Sequence, residues 1–104
     1  MKSNATPFQL KVYKAIKKIP KGEVRSYGWV AKRIGRPKAC RAVGNALNKN
    51  PYPIVVPCHR IVRSDGTLGG FARGSREKMR LLKREGLTLE KIRDIITKKG
   101  KYAD

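Results

Sequence analysis

The sequence predicts a mainly α protein of winged helix-turn-helix type: a three-helix bundle, a short β hairpin or wing, and additional C-terminal helices. Three observations carry this expectation. Apolar residues recur at helical spacing in five segments. A tight Gly35-Arg36-Pro37 turn separates the second of these from a basic third, the outline of a helix-turn-helix. The β-branched runs Ile54-Val55-Val56 and Ile61-Val62 are short and flank a turn-rich stretch, as a wing would.

Each element has its own signals. Thr6-Pro7 opens the first helix as cap and first helical residue; Phe8, Val12, Ala15, Ile16 and Ile19 form its stripe, and Pro20 with Gly22 ends it. Ser26 caps a second, short helix with Tyr27, Val30, Ala31 and Ile34 on one face, closed by Gly35. Pro37 starts a third, with Val43, Ala46 and Leu47 as its apolar side and Lys38, Arg41, Asn45 and Lys49 opposite. Asn50-Pro51-Tyr52-Pro53 breaks both helix and interior strand. The β-branched runs around Pro57-Cys58-His59-Arg60, followed by a Ser64-Asp65-Gly66 turn, form the hairpin. Leu68 to Gly74 is a glycine-rich loop. Ser75 caps a fourth helix through Leu81 and Leu82 that stops at Gly86, and Thr88 starts a fifth with Leu89, Ile92, Ile95 and Ile96. The tail from Lys98 to Asp104 is expected to fray.

At 104 residues the chain reads as one domain with one compact core, and 39% hydrophobic residues can fill it. No apolar run approaches the roughly 18 residues of a membrane span. MKSNATPFQL lacks the apolar region of a signal peptide, and two cysteines make no disulfide framework. These features lead to an expectation of a reduced, cytoplasmic protein. With 26 Lys or Arg against 7 Asp or Glu, the net charge of +19 attracts polyanions, foremost nucleic acid. A solvated surface of thermophile type would carry more acids for ion pairing.

The single histidine, His59, sits beside Cys58. A thiol becomes nucleophilic where positive charge or a base favours its thiolate; Arg60 and Arg63 supply charge and His59 a base. The other reading is a buried cysteine beside an ordinary histidine. Neighbouring side chains on an extended strand point to opposite faces, so a direct Cys58–His59 bond needs a backbone turn or a bridging water. Two cysteines and one histidine lack zinc-ligand spacing, so no metal is expected.

Pro57-Cys58-His59-Arg60, preceded by Asn50-Pro51 and Arg41-Ala42-Val43-Gly44, closely resembles the O6-alkylguanine-DNA alkyltransferases (methylated-DNA–protein-cysteine methyltransferases). Gly22-Glu23-Val24-Arg25-Ser26-Tyr27 and Leu81-Leu82-Lys83-Arg84-Glu85-Gly86 match the same family in order and separation, so the likeness runs from about Phe8 to Gly86. The resemblance implies a suicide repair reaction. An O6-alkylated guanine is flipped from the duplex and its alkyl group passes irreversibly to Cys58. No cofactor and no metal are needed. Double-stranded DNA carrying the lesion is the expected partner, with no membrane and no obligate protein partner, and the protein acts as a monomer.

The resemblance also assigns roles. His59 takes the thiol proton through a water and Glu85 orients it. Tyr27 assists departure of the guanine and crowds the flipped nucleotide's phosphate. Arg41 fills the place of the flipped base, in a DNA-binding set completed by Lys38, Ala42, Gly44, Asn45, Lys49 and Tyr27. Asn50, Pro57 and Arg60 support the active site. Phe71, Ala72 and Arg73 line the substrate pocket, where many members carry a tyrosine or other aromatic, a serine and a small residue. Two further departures stand out. The sequence starts almost at the catalytic domain, leading to an expectation that the family's common N-terminal domain is missing. Cys40, beside Arg41, is a second thiol, expected to be a small packed residue. Two competing readings remain, a non-enzymatic alkyltransferase-like lesion-binding protein and a winged-helix transcription regulator. Alkyltransferase-like proteins carry another residue in place of the acceptor cysteine, which Cys58 argues against.

Overall fold

The computed structural model describes residues 6–49, 56–71 and 74–99. Five α-helices dominate: α1 (Pro7–Ile16), α2 (Tyr27–Arg33), α3 (Cys40–Asn48), α4 (Ser75–Arg84) and α5 (Leu89–Lys99). Two short strands, β1 (Arg25–Ser26) and β2 (Ile61–Val62), and one 3-10 turn, Cys58–Arg60, complete it. Among the described residues, no helix is long and apolar enough to cross a membrane.

Local chemistry sets the helix ends. The Thr6 hydroxyl accepts from the Gln9 amide while the Gln9 side chain accepts from the Thr6 amide, a reciprocal capping box. The Ser26 hydroxyl accepts from the Trp29 amide at 3.0 Å and starts α2. Thr88 does the same for α5 through the Lys91 amide. At the C-terminus of α4, the Gly86 amide bonds to the Lys83 carbonyl and the Leu87 amide to the Leu82 carbonyl. This Schellman turn requires the left-handed backbone of Gly86 (φ 85°) and brings Leu87 onto Leu82. The end of α2 repeats the pattern, with Gly35 bonded to Lys32 and Arg36 to Ala31.

Several sequence expectations shift. α3 begins at Cys40, not Pro37: Pro37 and Lys38 occupy a turn closed by the Ala39 amide on the Arg36 carbonyl. Ser75 is the first residue of α4 rather than its cap, a position held by Gly74. α5 runs to Lys99, so it includes Lys98 and Lys99, and 100–104 of the expected tail lie outside the described residues. The pairing of the wing strand reaches a distant segment. Ile61–Val62 pairs in parallel with Arg25–Ser26, in the register Arg25↔Ile61 and Ser26↔Val62. A hairpin with 54–56 would be antiparallel and local; here β2 is tied to the segment that starts α2. Ile54 and Val55 lie outside the described residues.

Burial of α1, α2 and α3 builds one apolar cluster, in which Val12, Ile16, Val30, Val43 and Leu47 are joined by Cys58 and Ile61. A second cluster joins Val24 and Val62 to Leu82, Leu87, Ile92 and Ile96 of α4 and α5. Thus the two strands lie between two helical units, and the Cys58–Arg60 turn emerges where those units meet.

Candidate active site and nucleic-acid interface

Cys58, His59 and Arg60 form one turn of 3-10 helix, closed by the Arg60 amide on the Pro57 carbonyl at 3.0 Å. Three residues per turn splay adjacent side chains apart, so Cys58 and His59 leave the turn in different directions. The thiol is nearly buried, 6% exposed, and donates to the Leu47 carbonyl at 3.8 Å. That carbonyl belongs to the last turn of α3, where intrahelical donors run out, and the residue four on is Pro51, which has no N–H. Next to it, the Ala46 carbonyl accepts from the buried Tyr13 hydroxyl at 2.7 Å. The negative end of α3 therefore faces the thiol. A base is needed to release the proton.

His59 is the only imidazole and is 2% exposed. Its Nε2 lies 2.8 Å from Glu85 Oε2. Glu85 also accepts from Arg60, through Nε at 3.0 Å to Oε1 and Nη2 at 2.7 Å to Oε2. Burial alone would raise the Glu85 carboxyl; the bonds from Arg60 and then His59 outweigh it and hold the pKa at about 2. Burial lowers the His59 pKa below its usual value, and the Arg60 and Lys78 charges add to this, against the opposing pull of Glu85. The imidazole is neutral at neutral pH. Because ionised Glu85 can only accept, Nε2 carries the proton and Nδ1 keeps its lone pair. Nδ1 is buried and has no hydrogen-bond partner among the described residues. The unit is thus a base oriented by a carboxylate that an arginine keeps ionised. Glu85 is placed by the α4 Schellman turn, and Arg60 Nη1 anchors to the Ile19 carbonyl at 2.9 Å.

An open cleft of about 420 Å³ is lined by Tyr27, Cys40, Arg41, Gly44, Asn45, Asn48, Arg63 and Gly70, and Cys58, His59 and Glu85 are not part of its lining. It gathers Tyr27 with the exposed face of α3, so four of the DNA-binding residues expected from the sequence share one surface. A Cβ on Gly44 would meet Tyr27 Cε1 at 3.9 Å, an ordinary contact, so packing inside the chain does not require glycine there. The Tyr27 hydroxyl donates to the Gly70 carbonyl at 3.4 Å. Burial raises the Tyr27 pKa, so the phenol keeps its proton. Ala42 is exposed on α3, and Lys38 and Lys49 are exposed at its two ends, outside the cleft lining. Phe71 packs, half-buried, against the first cluster. Pro57 is buried. Asn50, Ala72 and Arg73 lie outside the described residues. Cys40 is exposed and lines the cleft, so the expectation of a packed residue fails: the first turn of α3 projects it away from the core.

Sequence reasoning passed over two residues. Tyr13 ties α1 to the end of α3 next to the thiol. Lys78 is fully buried, and its Nζ donates to the carbonyls of Leu68 and Gly70. The signal was present: Lys78 falls in register with Leu81, Leu82 and Glu85 on the inward stripe of α4. Among the described residues, no three His, Cys, Asp or Glu side chains cluster as a metal site would require.

Comparison with known proteins adds three findings. A family model described as the 6-O-methylguanine DNA methyltransferase, DNA binding domain, matches residues 7–87. The methylated-DNA--protein-cysteine methyltransferase of Methanosarcina acetivorans is 56% identical over 81 residues, 78% of this chain and 52% of that protein. The chain spans about half the length of the curated relatives it matches. Among solved structures, Mycobacterium tuberculosis OGT in complex with DNA superposes with a TM-score of 0.77 at 49% identity, covering 79% of this chain and 51% of that one. S. pombe Atl1, in complex with damaged DNA containing O6-carboxymethylguanine, gives a TM-score of 0.71 at 34% identity, covering 85% and 82%.

Proposed function

The chain belongs to the family of the 6-O-methylguanine DNA methyltransferase DNA binding domain, and from that premise we propose that it repairs O6-alkylguanine in DNA by one irreversible transfer of the alkyl group to Cys58. The observation that carries this reading is the pairing of a nearly buried thiol with a neutral histidine whose Nε2 is held by Glu85 and whose Nδ1 is free to accept.

The chemistry follows from these groups. The lesion base leaves the duplex and enters the cleft beside Tyr27, and Arg41 fills the space it vacates. His59 Nδ1 draws the Cys58 proton through a bridging water, which the splayed geometry of the turn calls for. The thiolate attacks the saturated alkyl carbon in line; the S–C bond forms as the C–O6 bond breaks, and its electron pair leaves with guanine. Tyr27, protonated, donates to the departing base, and the proton taken by His59 restores the balance. The thioether has no good leaving group, so each molecule acts once. Neither cofactor nor metal enters these steps. The partner is double-stranded DNA, drawn by the net charge of +19, and the protein acts as a monomer in the cytoplasm, where that DNA lies.

Intact-mass analysis after incubation with an O6-methylguanine oligonucleotide tests this. One methylene equivalent per protein is expected, mapping to Cys58 and not Cys40, with no turnover beyond it. Cys58→Ala should accept nothing yet still bind the lesion duplex. An unchanged mass in the unaltered protein would overturn transfer. It would favour lesion binding without chemistry, a reading to which the likeness to Atl1 lends weight.

A further inference from the structure

The largest side chain with no solvent exposure is a cation, Lys78, and the reaction above gives it no task. Burying an ammonium is costly unless its donors are met. Among the described residues its bonds go to no carboxylate. Nζ donates instead to two carbonyls of the glycine-rich loop, those of Leu68 and Gly70, the latter at 3.1 Å. The same Gly70 carbonyl accepts from the Tyr27 hydroxyl, and Nζ lies 5.9 Å from the centroid of the Tyr27 ring. Between these two carbonyls, Gly69 presses so close that a Cβ would stand 2.9 Å from the Tyr27 hydroxyl, and its φ of 72° also demands glycine. The loop is therefore clasped from α4 by Lys78 and laid directly on Tyr27, and Gly70 lines the cleft.

We propose that Lys78 is a positioning residue: its ammonium pins the Leu68 and Gly70 carbonyls, fixes the glycine-rich loop against Tyr27, and so sets the wall that the extruded base meets. A lysine suits the task because a compact ammonium with three donors on a flexible stem can serve two carbonyls from one helix position. Burial lowers its pKa to about 8, and the ammonium form still prevails at neutral pH. The part of this inference that concerns the base rests on the transfer reading above; the part that concerns the loop does not.

The experiment therefore has two arms, applied to Lys78→Met, which keeps the apolar stem and removes the donors, and to Lys78→Arg, which keeps charge and donors. The first arm is amide hydrogen exchange. Lys78→Met should speed exchange across 68–71 about tenfold, the loss expected for one charge-assisted hydrogen bond, while amides of α1 and α3 stay unchanged. The second arm follows alkyl transfer from free O6-benzylguanine as a function of its concentration. The half-saturating concentration should rise about tenfold while the limiting rate stays within about threefold, the pattern of lost binding rather than lost chemistry. Alkylation of Cys58 by iodoacetamide should hold its rate, and Lys78→Arg should recover part of both effects. Unchanged exchange at 68–71 overturns the proposal. So does a limiting rate that falls together with iodoacetamide reactivity, which would make Lys78 a group acting on the thiol. If Lys78→Met does not fold, Lys78→Gln is read by the same criteria. Failure of the unaltered protein to accept any alkyl group would sink the transfer reading and leave the exchange arm standing.

Discussion

Residues 6–49 and residues 56–99 both expose many cations but differ in their acids and in the charges they bury. The first stretch holds a single acid, Glu23, against twelve Lys or Arg. Most of those cations, among them Lys11, Lys14, Lys32, Arg36, Lys38, Arg41 and Lys49, stand exposed. In the second stretch the charges that matter are turned inward: Glu85 is shared between His59 and Arg60, and Lys78 is spent on loop carbonyls. The contrast fits the two tasks of the proposed function. Attracting a polyanion needs surface charge left unneutralised, because its field must reach into solvent. Moving a proton at neutral pH needs protonation states that do not drift, and those come from burial and fixed partners.

Substitutions in each stretch should therefore fail in different assays. Glu85→Gln gives the largest expected loss. Single-turnover rates on a lesion duplex and on free O6-methylguanine should both fall by about 10²-fold, since His59 loses its orienting carboxylate. A defect confined to the duplex would move Glu85 into the DNA-binding half. The same variant has a pH signature. A carboxyl held at about 2 in the folded protein, below its usual value of 4.5, contributes stability that is full above 4.5 and lost as the pH falls towards 2. Acid titration of folding by circular dichroism should lose that limb in Glu85→Gln.

Arg41→Ala should slow repair of the duplex by roughly tenfold to a hundredfold, because extruding a base costs a few kcal/mol that Arg41 offsets. Free O6-methylguanine and O6-benzylguanine need no extrusion and should react at the unaltered rate. Equal slowing of all three substrates would place Arg41 in the pocket or in folding.

Smaller effects sharpen the boundary between the halves. Lys38→Gln and Lys49→Gln flank the cleft without lining it. Each should flatten the dependence of log K on log salt by about 0.9 if it meets one phosphate, measured by titrating duplex at several salt concentrations. Transfer to Cys58 from the free base should not change. Tyr13→Phe is the smallest: the buried Ala46 carbonyl loses the Tyr13 hydroxyl and keeps the Lys49 amide, at a cost of about 1 kcal/mol in a denaturant melt. A change in iodoacetamide reactivity of Cys58 in that variant would show that the end of α3 tunes the thiol as well as supporting it.

What could be read from the sequence was whatever is settled within a turn or two of chain. Thr6 with Gln9, Ser26, Thr88, Gly35 and Gly86 end or start helices through bonds three to five residues long, and each stands in the sequence next to the stripe it delimits. Cys58 and His59 were marked by adjacency alone, and the resemblance supplied Glu85. Taken by itself, Glu85 is an acid at a helix end, where solvation is the ordinary outcome. The start of α3 was misplaced because Pro37 suits a turn as well as a first helical position.

The order of the helices, their inward stripes and the excess of positive charge were determined by the sequence itself, because periodicity and composition are local or additive properties. Only the tertiary structure decided the rest. It paired Ile61–Val62 with Arg25–Ser26, it brought Glu85 to a histidine 26 residues away, and it buried Lys78 against two loop carbonyls. Pairing, ionisation and burial are properties of what surrounds a group, and here those surroundings come from segments remote in the chain.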